Sequence, residues 1–125
     1  MSSDIIFTLC GSRRNLVEMR KAESHLELVG VMTFTMPDPL PLTIEEKMFV
    51  DKLHMGKIDR SVGIYVIDCN EDGKKYVGES TPREIDYAVK KGLFVAYHSV
   101  WKDKYQRMRL VALEWRDKYI KDRRI

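Results

Sequence analysis

Two short stretches hold residues whose types and spacing could do chemistry. The first is YVGESTPREIDYA, residues 76–88. Thr81-Pro82-Arg83-Glu84 has the form of a helix start: a threonine cap, a proline in the first turn and a glutamate three residues after the cap. As a cap, Glu84 reaches back to the Thr81 N–H. As a reactive group, the same carboxylate could attack an electrophilic carbon such as the anomeric carbon of a sugar. The positive end of a helix dipole would favour its ionised, nucleophilic form. The second stretch is CGSRRN, residues 10–15. Gly11 lets the backbone turn sharply and approach a ligand, Ser12 brings a hydroxyl, and Arg13 and Arg14 are donors suited to phosphate. Gly78, Ser80 and Thr81 lead into another helix N-terminus and offer a second anion cradle. Neither stretch is a Walker motif or a G-x-G-x-x-G turn.

The flanking elements must bring these stretches together. DIIFTLC (4–10) and LVGVMTF (28–34) read as buried strands, with a helix between them whose inner face is Leu16, Met19 and Leu26. TMPDPLPLT (35–43) reads as a loop in which Asp38 is a turn residue. Thr43 then caps a second helix with Glu46 three residues on, and Ile44, Met48, Phe49 and Leu53 are expected to face inward. VGIYVIDC (62–69) is apolar without alternation, as in a strand covered on both faces. EDGKK is a polar turn. A third helix runs from Pro82 to Lys91 and stops at Gly92, and LFVAYH (93–98) is a fourth strand. From Trp101 the chain reads as one long charged helix. Its apolar stripe is Trp101, Tyr105, Met108, Ala112, Trp115 and Tyr119.

Strand–helix alternation with unbroken apolar strands predicts an α/β fold. The expectation is one domain over residues 1–125: a flavodoxin-like or Rossmann-like three-layer sandwich with a parallel sheet of order 2-1-3-4. Its core spans 4–98, and a long C-terminal helix occupies about 100–121. Such sheets bind ligands where the strand order reverses, at the carboxyl ends of the strands. Here that crevice lies between the first and third strands, where the Gly11-Ser12 turn and the Gly78–Thr81 loop meet.

The bulk numbers agree with this plan. The chain has 125 residues, 44% of them hydrophobic and 33% charged, with a net charge of +3. That is too mild a charge to argue for polymeric nucleic acid. Cys10 and Cys69 fall in apolar runs and read as free buried thiols. Without a C-x-x-C spacing, and with three scattered histidines, no zinc site is expected. No cofactor is expected either. The start lacks the pattern of a signal peptide, and no apolar run approaches the ~20 residues of a membrane span. The expectation is a cytoplasmic protein with no membrane partner.

FTLCGSRRN, KMFVDKLHMGKID and YVGESTPREIDYA, in this order, resemble the nucleoside 2-deoxyribosyltransferase-like family. That family includes the nucleoside 5′-monophosphate N-glycosidases. The likeness covers roughly residues 5–98 and leaves out the C-terminal helix. It implies that Glu84 is a nucleophile at C1′, giving a glycosyl-enzyme ester that water or a second base resolves. It places phosphate against Gly11, Ser12, Arg14, Gly78 and Ser80, with Thr81 a further candidate by position. Tyr76 would face sugar or base, or pack at the rim. The K-I-D-x-x-D pattern of many relatives reads here Lys57-Ile58-Asp59-Arg60-Ser61-Val62. The first aspartate is present and the second is Val62, which shifts the acid–base role to Asp59 or Asp68. The same departure raises an alternative, a catalytically inactive nucleotide-binding or sensor domain. His54 and Lys57, one turn apart, read as a solvated helix end that could also touch phosphate or base. The resemblance further implies a homodimer or larger assembly, for which the stripe of the last helix is the expected surface.

Overall fold

The computed structural model describes residues 5–36 and 40–120. Asp38 and the end of the basic tail lie outside the described residues. The chain runs β1 (Ile5–Gly11), a 3-10 turn (Arg13–Asn15), α1 (Leu16–Leu28), β2 (Val31–Phe34), α2 (Ile44–Asp59), β3 (Gly63–Ile67), α3 (Thr81–Lys90), β4 (Phe94–Tyr97), α4 (His98–Trp101) and α5 (Tyr105–Tyr119). The strands form one parallel sheet of order β2-β1-β3-β4. The order reverses between β1 and β3, as expected from the alternation.

Strand alternation sorts the side chains into two cores. Ile5, Phe7 and Leu9 of β1 join Tyr65 and Ile67 of β3 against Met19, Ala22 and Leu26 of α1 and Tyr105, Met108 and Ala112 of α5. Cys10, Ile64 and Val66 point the other way, against Ile58 of α2 and Ala88 of α3. Helices thus cover both faces, and β3 is buried along its whole length.

Three local expectations are corrected. The first helix continues through Leu28 and turns at Gly30 (φ 89°), so the second strand starts only at Val31. The C-terminal helix is not continuous. It breaks after Trp101 and passes Asp103 at φ 66° before α5 begins. Half of its stripe packs inside the chain: Tyr105, Met108 and Ala112 are buried, and the half-buried Trp115 donates its indole N–H to the Gly92 carbonyl at 3.0 Å. The buried part of the stripe belongs to the protein's own core, while Tyr119 at its end is 56% exposed. Finally, Ile44, Met48, Phe49 and Leu53 do not face inward. They are 53–81% exposed, and α2 buries His54 and Ile58 instead. The predicted capping box of α2 is present, with Thr43 and Glu46 bonding reciprocally at 2.9 and 3.1 Å.

Candidate functional site

The two loops of the crevice meet as the strand order requires. Asn15 is the pin. Its buried side-chain amide donates to the Ile67 carbonyl at 3.2 Å and to the Tyr76 carbonyl at 3.0 Å, tying the loop after β3 to the turn after β1. The contact is close enough to leave little room for a side chain at either glycine. A Cβ on Gly78 would stand 3.1 Å from the Ser12 Cβ, and one on Gly11 would stand 3.0 Å from the Ile67 carbonyl oxygen. The Ser12 hydroxyl accepts from the Arg14 N–H at 3.1 Å and caps the 3-10 turn. The Arg14 guanidinium lies 4.6 Å from the centre of the Tyr76 ring, so Tyr76 packs at the rim under an arginine. Ser80 lines an open cleft of about 570 Å³ together with Lys47, Glu79, Pro82 and Arg83. Thr81 is buried in the first turn of α3.

Glu84 is not used as a cap. The helix begins one residue earlier than the sequence suggests, with Ser80 in the cap position and no side-chain capping bond. The Glu84 carboxylate turns instead toward α2 and β1. His54 Nε2 lies 3.5 Å from Glu84 Oε2 and 3.6 Å from the Cys10 sulfur. All three groups are largely removed from water. Burial pushes the Glu84 pKa up to about 7. A bond from Cys10 and the charges of Arg83 and Lys47 oppose the rise, while Asp51 adds to it. This reverses the expectation of a carboxylate kept ionised by the helix end, because desolvation outweighs it. Burial, with Lys57 assisting, drives His54 down to about 4, and burial with Glu84 beside it raises Cys10 well above its usual range. Near neutral pH the site therefore holds a thiol, a neutral imidazole and a carboxyl group that gains and loses its proton readily.

The remaining candidates lie elsewhere. Asp59, at the end of α2, accepts a bond from the Tyr87 hydroxyl at 2.6 Å and faces Lys91 at 3.7 Å. That is the end of α2 that leads into the amino end of β3. Val62 is buried beside it, its N–H bonded to the Ile6 carbonyl. The departure at Val62 thus falls at the amino end of the strands, whereas Glu84 lies beside Cys10 near the carboxyl end of β1. Asp68 is occupied by the Ser99 N–H and hydroxyl at 2.9 and 2.6 Å. Lys57 donates to the Thr35 carbonyl at 2.7 Å, and His54 is buried, so this pair is not a solvated helix end.

Sequence reasoning missed Cys10 and Asn15 as members of the site and undervalued His54. The alternation of β1 places Cys10 on the face shared with Thr8, toward α2 and α3. The inward turn of His54 had no signal, because four apolar residues on α2 competed for that face. Compared with protein-family models, with curated proteins and with solved structures, the chain matches none.

Proposed function

We propose that this protein cleaves or exchanges the N-glycosidic bond of a nucleoside 5′-monophosphate or nucleoside, with Glu84 as the nucleophile. The observation that carries this reading is the position of the Glu84 carboxylate. It is largely covered at the reversal of the sheet, released from capping, and next to the end of the strand that feeds the Gly11-Ser12 turn. The ionised carboxylate attacks C1′. The C1′–N bond breaks, and its electron pair leaves with the base, which takes a proton from water. Water then attacks C1′ of the ester, frees the sugar and restores Glu84; a second base in place of water gives transfer. Ser12, the backbone N–H groups at the start of α3, and Arg14 would hold the phosphate. Thr81 and Asp59 serve as supports of α3, the latter through Tyr87.

The test is base release from a panel of ribo- and deoxyribonucleoside 5′-monophosphates, repeated with free nucleosides plus an acceptor base. Release by the wild type and not by Glu84→Gln supports the reading. Nucleotide binding without release under any condition replaces it with a binding or sensor domain.

The homo-oligomer belongs to the same proposal. Its surface is the exposed apolar face of α2, where Ile44, Met48, Phe49 and Leu53 lie together, whereas α5 gives Tyr105, Met108 and Ala112 to the core. Lys47 on that helix lines the cleft beside Ser80, so a second copy seated there would help to close the site. A monomer mass in light scattering removes this part of the proposal.

A further inference from the structure

Cys10, His54 and Glu84 come from three different elements and place a sulfur, an imidazole nitrogen and a carboxylate oxygen within 4.8 Å of one another. The Cys10–His54 contact at 3.6 Å is within reach of a sulfur hydrogen bond, but the His54–Glu84 contact is long for one. At 3.5 Å the His54–Glu84 contact is well beyond the 2.9 Å at which His98 meets Glu18 in the same molecule. The separations suit a different geometry. A tetrahedral zinc ion binds sulfur at about 2.3 Å, imidazole nitrogen at about 2.0–2.1 Å and carboxylate oxygen at about 2.0–2.2 Å. Tetrahedral angles then set the sulfur–nitrogen edge at about 3.5 Å and the nitrogen–oxygen edge at about 3.4 Å. Two of the three observed edges are 3.6 and 3.5 Å, and the sulfur–oxygen edge lies within 4.8 Å. His54 is buried, and its Nε2 faces two potential ligands.

We propose that Cys10, His54 and Glu84 form a binding site for a zinc-class divalent cation, with solvent as the fourth ligand, and that occupancy blocks the Glu84 nucleophile. The mixed thiolate, imidazole and carboxylate set selects a borderline ion over calcium or magnesium, which prefer oxygen alone. Binding deprotonates the Cys10 thiol, and the proton goes to solvent. A carboxylate oxygen bound to the ion cannot attack C1′, so the metal is an inhibitor that a chelator reverses. Cation binding stands independently of the proposed reaction; only the inhibition rests on it.

The test uses the 125-residue chain, stripped with EDTA and titrated with Co²⁺. The expected result is one equivalent bound, with a thiolate-to-cobalt charge-transfer band and the visible absorption of tetrahedral cobalt. Zn²⁺ should displace it. Cys10→Ser should abolish the charge-transfer band, and Glu84→Gln and His54→Gln should each weaken binding tenfold or more. Cys69→Ser should leave the band intact. Circular dichroism of each variant shows whether it is folded, and Glu84→Gln, which keeps the shape of the side chain, stands in if His54→Gln is not. No charge-transfer band in the wild type, or one that survives Cys10→Ser and disappears with Cys69→Ser, overturns the proposal. A second arm measures base release with Zn²⁺ and then EDTA. Inhibition reversed by EDTA supports the blocking role, and undiminished release with the site filled overturns it. If cobalt binds through the three residues but no base is released in any condition, the metal site stands and the glycosidase reading fails.

Discussion

The described residues contain two carboxylate–histidine pairs largely removed from water, one on each face of the sheet, and they are built in opposite ways. On the α1 face, Glu18 Oε1 meets His98 Nε2 at 2.9 Å, and the other ring nitrogen of His98 meets the Tyr65 hydroxyl at 2.7 Å. Lys102 adds a contact to Glu18 at 3.3 Å. Burial alone would raise the Glu18 pKa, but the bonds from His98 and Lys102 outweigh it and hold it below the usual range. On the α2/α3 face, the Glu84–His54 contact is 3.5 Å, and His54 Nδ1 is buried with no hydrogen-bond partner among the described residues. There burial prevails and Glu84 rises to about 7. The first pair has its partners and acts as structure. The second is held in place without being satisfied, which leaves its carboxylate available to a ligand. Burial of a carboxylate does not mark a reactive group; burial without adequate partners does.

The sharpest way to break this contrast is to neutralise each carboxylate in turn. Glu84→Gln should reduce base release by about 10³-fold or more. Glu18→Gln should leave turnover of the folded protein unchanged. Equal losses in the two variants would erase the distinction.

Stability should respond in the reverse order. Glu18→Ala leaves His98 buried without its partner and should cost about 3 kcal/mol in denaturant unfolding. Glu84→Gln should cost far less, because it replaces a desolvated carboxyl with a neutral group of the same shape.

Acidity distinguishes the pairs more finely. The folded-state pKa of Glu18 is lowered, so its stabilisation is complete above the ordinary carboxylate value of 4.5 and is lost as pH falls through the folded value. The folded-state pKa of Glu84 is raised, so its contribution is complete below 4.5 and is lost as pH rises through about 7. Unfolding curves of each Gln variant against wild type, from acid to neutral pH, should slope in opposite directions. Base release by chelated wild type should rise with pH through about 7, as the nucleophile ionises. A flat profile there would place Glu84 outside the chemistry.

The smallest expected effect is at the rim. Arg14→Ala removes the proposed phosphate donor, which rests on Tyr76, and KM for a monophosphate should rise about tenfold with kcat nearly unchanged. The KM for a free nucleoside should not move. A loss of kcat instead would mean that Arg14 positions the reacting centre.

The sequence by itself determined the sheet. Unbroken apolar runs around Leu9 and Val66 can be buried only between two helical layers, and that dictates parallel strands, their order and the crevice at Gly11 and Gly78. The Thr43–Glu46 capping box was equally legible, because its bonds are local. Tertiary structure alone decided the partners of Glu84. Whether it caps its own helix or turns toward Cys10 and His54 depends on the start of α3 at Thr81 and on how α2 sits over the sheet. No periodicity revealed that α2 would bury His54 and expose Phe49, since by hydrophobicity the face should have been reversed. The break at Asp103 was likewise hidden, because the apolar stripe continues across it in sequence. Local bonding and burial pattern are written residue by residue, whereas the proton affinity of Glu84 comes from the packing of β1, α2 and α3 around one carboxylate.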